Sequence, residues 1–551
     1  MLKTLPLSLL FVLVISILTL LPLFKPGFFS VHDATQTERV FVMAKALKDG
    51  QFPVRIVEYL GYDYGYPIFN FYAPLPYYLG GILHALGIDL LASTKLMFAV
   101  GILFSAVSMY LLAKNVWGEK AGVLSAVLYV FAPYHALDIY VRGAVGEFWA
   151  VAFLPLVFLA IYKEWMIVGG LALAGVILSH NLTAMMLVPF IVLFMLVLLF
   201  TKTNKIFFLK KFFLFVVIGL AISAFYFLPA LLEMSYTNVS SQITGGSQYF
   251  QHFIDLDQLW DFPWGFGGSS GRESGISFKI GKIGIILSLC SLLLFFIAKK
   301  KVDRKKEIML FGLITIGLSV FFTNRFSQPL WEIFSFLKYV QFPWRFLIFI
   351  VFGTSLLGGA VFYYVEKAKL PEIFSRVSFL GISLVVSAVV FFQFKYFQPQ
   401  FAYSEKSSFY ANEERIRWDV SKISDEYLPN NFPKVGSEKE IIKAGYQLER
   451  EGTVKEVIRK SHKREYLVNF PQKQKMLIYL ASFPGWEVKI DGKKTSLLKE
   501  DFISFFVPAG KHQIEVYFSN TWPRILGNII TIFGLSLVGV ILISKKYAKN
   551  T

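Results

Sequence analysis

Residues 31–78 read VHDATQTERVFVMAKALKDGQFPVRIVEYLGYDYGYPIFNFYAPLPYY. This stretch follows one apolar segment and precedes a long series of others. It combines charged residues, among them Asp33, Arg39 and Arg55, with many aromatic residues. A chain that is 55% hydrophobic has few places for chemistry in water. We therefore interpret residues 25–94 as a polar loop between membrane spans that carries the chemistry of the protein.

The composition excludes an ordinary soluble domain. Of the 551 residues, 17% are charged, whereas about 25% is usual for soluble domains. The mean hydropathy is +0.56, and several apolar runs are long enough to cross about 30 Å of hydrocarbon as helices. The single cysteine, Cys290, lies in an apolar run, which excludes a disulfide framework and a cysteine-based metal site. The sequence predicts a polytopic helical membrane protein.

The apolar runs predict about 12 transmembrane helices. A shorter apolar stretch, residues 73–86, contains two prolines, and we interpret it as a helix lying on the outer membrane surface. The first span is expected to be retained rather than cleaved as a signal peptide. The predicted spans are residues 5–24, 96–113, 122–133, 145–161, 166–178, 182–200, 212–232, 283–298, 308–322, 346–364, 377–394 and 525–543.

The net charge of +18 follows from basic residues in alternate gaps between these spans, for example at residues 299–306. Cytoplasmic loops of membrane proteins are rich in Lys and Arg, so the charge does not indicate a nucleic-acid partner. This pattern predicts a multi-pass protein of the cell membrane with both termini in the cytoplasm.

Residues 399–522 differ from the rest of the chain. They are polar and contain short alternating runs, such as residues 465–470 and 512–518, which is typical of β-strands. The chain is therefore expected to have three parts. Residues 1–398 form the membrane domain, residues 399–522 form an all-β, sandwich-like module outside the membrane, and residues 523–551 form a final span with a basic cytoplasmic tail.

His32 and Asp33 lie just beyond the first span. A carboxylate at the membrane surface can accept a proton from a hydroxyl group and so act as a general base. A solvated loop aspartate with no role in catalysis is the alternative interpretation.

Two further outer segments carry arginine beside acids or aromatic residues. Residues 135–147, HALDIYVRGAVGE, contain Asp138, Arg142 and Glu147, and residues 342–346, FPWRF, contain Arg345. An arginine fork can bind a phosphate. The alternatives are an Arg–Glu pair that fixes the loop and an aromatic–arginine anchor at the membrane interface.

None of the 7 histidines is paired at a spacing of two or four residues, so a histidine zinc site has no support. The predicted spans have no charged residue at mid-depth, which argues against an ion-coupled transporter.

Three runs carry a resemblance to a known family. They are HDATQTERVFVMAKALKDGQFPVR at residues 32–55, GYDYGYPIFNFYAPLPYYLGGILHALG at residues 61–87, and FAPYHALDIYVRGAVGEFWAVAFLPL at residues 131–156. Together they closely resemble the multi-pass membrane proteins called 6-pyruvoyl-tetrahydropterin synthase-related. Pterin synthases themselves are small soluble zinc enzymes, so the family name is misleading here. The outline of residues 1–400 is also similar to the GT-C superfamily of membrane glycosyltransferases.

The resemblance to GT-C enzymes implies transfer of a sugar, with inversion, from a polyprenyl-phosphate donor to a glycan or lipid acceptor on the outer face. The catalytic acid of the first outer loop maps onto Asp33, beside His32. A second acid of the next loop is Asp138 or Glu147. Arg142 and Arg345 would contact phosphate. Glu147 and His180, the latter in a predicted turn at residues 179–181, would either support the groups that contact the substrate or lie on the acceptor side.

Arg55 is a further expected substrate contact. No cofactor is required by this scheme, although a divalent metal ion stays open. Two other functions also stay open: a flippase or transporter of lipid-linked sugars, and a non-catalytic scaffold in envelope assembly. Convergence of Asp33, Arg142 and Arg345 within roughly 10–15 Å around one cavity would favour the enzyme.

Overall fold

The computed structural model describes residues 6–239, 248–268, 272, 275–297, 305–367, 378–430 and 432–547. Most of this part of the chain is helical. The helices are α1 Leu7–Ser16, α2 Gln36–Lys48, α3 Ile68–Phe71, α4 Leu75–Ala85, α5 Leu90–Trp117, α6 Glu119–Val130, α7 Pro133–Ala136, α8 Val145–Lys163, α9 Met166–Ser179, α10 Asn181–Leu199, α11 Lys205–Glu233, α12 Leu256–Trp260, α13 Lys282–Ile297, α14 Lys306–Thr323, α15 Gln328–Ile333, α16 Leu347–Lys367, α17 Ser378–Gln393, α18 Ser407–Tyr410, α19 Glu413–Arg415 and α20 Trp522–Tyr547.

Each of the predicted spans overlaps one of these helices. Within the described residues, 8 helices are long and apolar enough to cross a membrane, and α1 reaches this length through a 3-10 extension, Ile17–Phe24. A ninth results if α6 is counted with Pro133–Arg142, from which it is bent by 43°. Three shorter apolar helices complete the set, Met166–Ser179, Lys282–Ile297 and Gly381–Tyr396. The helical membrane fold is therefore confirmed, whereas the number of spans stays a prediction.

The orientation in the membrane also stays a prediction. In the basic cluster used to orient the chain, residues 299–304 lie outside the described residues. The expected surface helix corresponds to α4, which packs closely on α2. A Cβ on Gly81 of α4 would lie 2.4 Å from the Met43 side chain, so only glycine allows this approach without rearrangement.

The strands are concentrated in the C-terminal part. They are β1 Phe28–Phe29, β2 Ala402–Tyr403, β3 Tyr446–Leu448, β4 Thr453–Lys460, β5 Lys463–Phe470, β6 Gln474–Ala481, β7 Trp486–Ile490, β8 Lys493–Thr495, β9 Phe502–Val507 and β10 Gly510–Phe518. One antiparallel sheet has the order β4-β5-β10-β7-β8, and a second has the order β3-β6-β9. Apolar residues of both sheets form one buried cluster. The module is therefore sandwich-like, as the alternating runs predict.

The all-β prediction holds from residue 446 onward and differs before it. Residues 404–445 contain short helices such as α18 and α19 instead of strands. Their apolar residues, including Tyr410, Ile416 and Phe432, pack against residues of the first loop. Alternation is absent from this segment because its buried residues face the membrane domain rather than a second sheet.

Ion pairs join the first loop to the C-terminal module. Glu58 contacts Lys45 at 2.8 Å and Arg459 at 3.2 Å. Asp63 contacts Arg459 at 2.8 Å and Arg417 at 3.0 Å. The side chain of Glu58 is buried, so its charge depends on these partners. The module thus holds the loop of residues 25–94 in one place.

Candidate active site

A short backbone pairing fixes His32 and Asp33. The His32 N–H donates to the Val141 carbonyl at 3.0 Å, and the Asp33 N–H donates to the Arg142 carbonyl at 2.9 Å. Gly143 follows with a φ of +67° and leaves no room for a side chain, since a Cβ there would lie 2.6 Å from Val31. The segment after the first span is therefore attached to the segment that carries Asp138, Arg142 and Glu147.

The side chains of His32 and Asp33 are exposed. The imidazole of His32 has its Nε2 3.0 Å from the Phe266 carbonyl oxygen. A carbonyl accepts, so Nε2 carries the proton and Nδ1 is left as an acceptor. Within the described residues, the Asp33 carboxylate has no hydrogen bond or ion pair, and it lies close enough to Arg345 for electrostatic interaction. Asp33 is thus open to a ligand.

A buried cluster of charges lies beneath this pairing. Arg142 forms ion pairs with Asp138 and, at 3.0 Å, with Glu147. Glu147 also accepts from Arg345 Nε at 3.3 Å and from the Tyr134 hydroxyl at 2.7 Å. All four charged residues are at most 8% exposed. Two carboxylates and two guanidinium groups compensate one another, which burial requires.

The positions of Glu147 and Arg142 each have a local structural reason. Glu147 lies in the first turn of α8, where the helix dipole favours a carboxylate. Arg142 ends a π-helical segment, Leu137–Arg142, that brings its guanidinium back to Asp138. The guanidinium also lies 4.6 Å from the Trp344 ring centroid, which supports a cation–π contact.

Arg345 and Arg142 differ in how their terminal nitrogens are used. Its Nε contacts Glu147, and its Nη1 donates to the Val340 carbonyl at 2.6 Å and to the Gln341 side chain at 3.1 Å. Within the described residues, no hydrogen bond from Nη2 accompanies these. Both terminal nitrogens of Arg142, in contrast, are taken by carboxylates. Arg345 is therefore better placed than Arg142 to bind an anion.

His180 joins the cluster through the turn between α9 and α10. A Cβ on Gly146 would lie 2.6 Å from the Ser179 carbonyl oxygen, so the turn passes close to the start of α8. The Nδ1 of His180 accepts from the Thr183 N–H at 3.3 Å and caps α10. Burial lowers the pKa of His180 to about 3, while nearby Glu147 favours the charged form and Arg345 opposes it. The imidazole is therefore neutral at neutral pH.

Acid should destabilise the protein through His180. A histidine in the unfolded chain has a pKa of about 6.5, so below that pH the unfolded state takes up a proton that the folded state does not. The contribution to stability is complete above about pH 6.5 and falls by about 1.4 kcal/mol per pH unit below it. A His180→Asn variant, which keeps a capping side chain, should lose less stability than wild type between pH 7 and 5. Unfolding curves in detergent at both pH values test this, and equal losses would contradict it.

Arg55 lies in a different environment from the cluster. Its guanidinium donates to the Asn70 side chain at 3.2 Å, to the Phe225 carbonyl at 3.1 Å and to the Asn528 side chain at 3.0 Å. Burial first, and then the charge of Arg524, lower its pKa to about 10. These contacts join the first loop to α11 and α20, and the expected substrate contact of Arg55 stays a prediction.

Other contributors to the site were not predicted. Tyr134 binds Glu147, and Gln36 donates to the Gly143 carbonyl at 2.8 Å. Phe266 contributes a backbone carbonyl from the loop before α13. Tyr134 and Gln36 lie within runs that carry the family resemblance, which was an available signal. The contacts of Gln36 and Phe266 are between segments more than 100 residues apart in the chain.

In the part of the chain that the structure describes, no group of three or more His, Cys, Asp or Glu side chains is arranged to hold a metal ion. At the site, Glu147 and one oxygen of Asp138 are paired with arginine.

Several solved structures are similar to the chain in architecture. A mycobacterial arabinofuranosyltransferase AftD matches with a TM-score of 0.48 and 12% identity over 72% of this chain and 27% of that one. The oligosaccharyltransferase of Archaeoglobus fulgidus matches with a TM-score of 0.48 and 15% identity over 79% and 61%. ArnT from Cupriavidus metallidurans, bound to undecaprenyl phosphate, matches with a TM-score of 0.39 and 15% identity over 69% and 63%.

Comparison of the sequence finds one relative that matches less than half of the chain and one family that matches more than half of it. An uncharacterized protein of Lactococcus lactis subsp. cremoris (strain MG1363) is 25% identical over 268 residues, which are 45% of this chain and 44% of that protein. The model of the 6-pyruvoyl-tetrahydropterin synthase related domain, a membrane protein family, matches residues 69–396, more than half of the chain. This confirms the resemblance seen in the motifs, and the chain belongs to the 6-pyruvoyl-tetrahydropterin synthase related family of membrane proteins.

Proposed function

We propose that the protein is a membrane glycosyltransferase that moves a sugar from a polyprenyl-phosphate donor to a glycan or lipid acceptor of the cell envelope. The observation that carries the proposal is the attachment of the exposed Asp33 to the buried Arg142–Glu147–Arg345 cluster, through the 2.9 Å hydrogen bond from Asp33 N–H to the Arg142 carbonyl. An open carboxylate is thereby held within electrostatic range of an arginine whose Nη2 has no hydrogen bond among the described residues. This is the pair of groups that a single-displacement sugar transfer requires.

In this reaction Asp33 is the general base. Its carboxylate takes the proton of an acceptor hydroxyl while the hydroxyl oxygen forms a bond to the anomeric carbon of the donor. The bond from that carbon to the phosphate oxygen breaks, and the oxygen keeps the electron pair. The lipid phosphate leaves with one additional negative charge, and the anomeric configuration is inverted.

Arg345 stabilises the charge that develops on the leaving phosphate. Donors that are already in place need no reorganisation when the charge appears, which makes such stabilisation effective. Glu147 and Arg142 are positioning residues in this scheme, because their side chains are buried and hold Arg345. Asp138 neutralises Arg142, and its Oδ2 has no hydrogen-bond partner among the described residues.

Two histidines, His32 and His180, complete the proposed site. The Nδ1 of His32 is free to accept a hydroxyl proton or to orient the acceptor beside Asp33. The neutral His180 adds no positive charge near Glu147, so Glu147 stays paired with the two arginines. We place His180 on the acceptor side, and we place the reaction on the outer membrane face.

A transfer assay in lipid tests the proposed function. The full-length protein would be reconstituted and given a panel of radiolabelled polyprenyl-phosphate sugars, with an extract of cell envelope as the source of acceptor. Transfer of label from at least one donor is expected. Movement of labelled lipid between the leaflets of a vesicle, without transfer from any donor, would overturn the proposal in favour of a flippase.

A further inference from the structure

A groove runs between α1 and α17 on the membrane domain. Its volume is about 750 Å³, within the range of cavities that bind small ligands. The walls are almost entirely apolar and partly aromatic, with Phe11 and Ile15 on one side and Val386, Val390 and Phe391 on the other. Ser387 lies on the α17 side and is exposed in the groove. Such walls suit a hydrocarbon chain.

One end of the groove is positively charged. Lys395, which follows α17, lines this end and has an exposed side chain. Its ammonium lies 5.3 Å from the Tyr396 ring centroid, and no carboxylate among the described residues forms an ion pair with it. A groove that is apolar along its length and cationic at one end is complementary to a lipid with a phosphate head.

The charged end is also the end that faces the candidate active site. The chain segments that follow α1 and α17 pair as β1 and β2, with Phe28 opposite Tyr403. The segments that follow both helices therefore meet on the same side of the membrane domain, and the first of them continues directly to His32 and Asp33. The mouth of the groove and the carboxylate lie at one end of the helical bundle.

A series of aromatic contacts connects the two places. The Tyr396 ring lies 4.7 Å from the ring of Trp264, and Trp264 contacts Phe266 edge to face at 6.4 Å. The carbonyl of Phe266 is the group that binds His32. The connection from Lys395 to His32 is thus continuous through three neighbouring aromatic residues.

We propose that the groove between α1 and α17 binds the isoprenoid chain of the lipid-phosphate donor, with Lys395 at the phosphate end. The proposal rests on the glycosyltransferase function for the identity of the lipid. It deepens that function by assigning the membrane part of the donor to a separate site. Donor lipid enters the groove sideways from the bilayer, with its phosphate first at Lys395. From this entry position the phosphate moves past the aromatic series to Arg345 and Asp33 before the sugar is transferred.

Photolabelling tests this assignment without requiring transfer. Full-length protein in nanodiscs of zwitterionic phospholipid would be labelled with a polyprenyl phosphate that carries a diazirine in its isoprenoid chain, and the labelled peptides would be identified by mass spectrometry. Label on α1 and α17 is expected. The Ser387→Trp variant places an indole inside the groove and should greatly reduce this label, whereas Leu384→Trp, at a lipid-exposed position of the same helix outside the groove, should not.

Removal of the Lys395 charge should weaken binding of the lipid without abolishing it. Since a lysine near the membrane surface contributes about 1 kcal/mol to binding an anionic lipid, Lys395→Gln should raise the half-saturating concentration about fivefold. Equal competition by phosphatidic acid, or label that maps outside the groove, would overturn the assignment. The Asp33→Asn variant should keep the label, so loss of transfer and loss of lipid binding can be told apart.

Discussion

An Asp33→Asn variant is expected to lose sugar transfer by a factor of about 10²–10⁴, the usual contribution of a general base. Asparagine has nearly the same shape as aspartate but cannot take up the proton of the acceptor hydroxyl. The backbone hydrogen bond from residue 33 to the Arg142 carbonyl does not involve the side chain and should persist. Because the Asp33 side chain is exposed, the substitution should not affect folding. Initial rates of transfer and binding of labelled donor, measured on the same reconstituted samples, check both expectations.

Asp419→Asn provides the matched control. Asp419 is an exposed aspartate in residues 404–445, the helical segment that packs on the first loop. Its ion pair with Lys422 is at the surface. Its loss should leave transfer unchanged. Equal transfer by wild type and Asp33→Asn would show that Asp33 is not the base. In that case the proposed mechanism would fail even if the protein transferred sugar.

Substitution of Glu233 by Gln is expected to destabilise the protein by about 3–5 kcal/mol, the cost of removing one partner of a buried ion pair. Glu233 ends α11 and contacts Arg524 of α20 at 2.9 Å. It also accepts a hydrogen bond from Asn70 of the first loop at 2.7 Å. Both charged side chains are at most 2% exposed. Without the carboxylate, the buried Arg524 and the neighbouring Arg55 are like charges with no counter-ion between them.

The loss of stability caused by Glu233→Gln should be largely relieved when the charge of Arg524 is removed as well. A Glu233→Gln, Arg524→Met double variant leaves no unpaired buried charge from this ion pair, so its stability should lie closer to wild type than that of Glu233→Gln alone. The Lys475–Glu500 pair is a control, because both side chains are about one-third exposed and exposed pairs contribute about 0–1 kcal/mol. Unfolding in a denaturant series, followed in detergent, gives the differences. If Glu233→Gln lowers the free energy of unfolding no more than Glu500→Gln does, a structural role for the Glu233–Arg524 pair would be contradicted.

The position of the membrane helices could be predicted from the sequence because one physical condition determines it. A helix that crosses hydrocarbon must be apolar over a length set by the bilayer, and this is a local property of the chain. The same applies to β5, β6, β7 and β10, whose alternating residues face a core on one side. Residues 404–445 did not follow the all-β prediction, since their buried side chains pack largely against the first loop instead of forming one face of a sheet.

The sequence by itself determined the helical membrane fold, the C-terminal strands and the local group of Asp138, Arg142 and Glu147, which are close neighbours along the chain. Only the tertiary structure decided that Arg345 and His180 join this group, that Asp33 is attached to it, and that Arg55 instead belongs with Asn70, Asn528 and the Glu233–Arg524 pair. The physical reason is the range of the interactions. Hydrophobic length and alternation act between near neighbours, whereas a buried charge must find its counter-ion wherever the folded helices bring one.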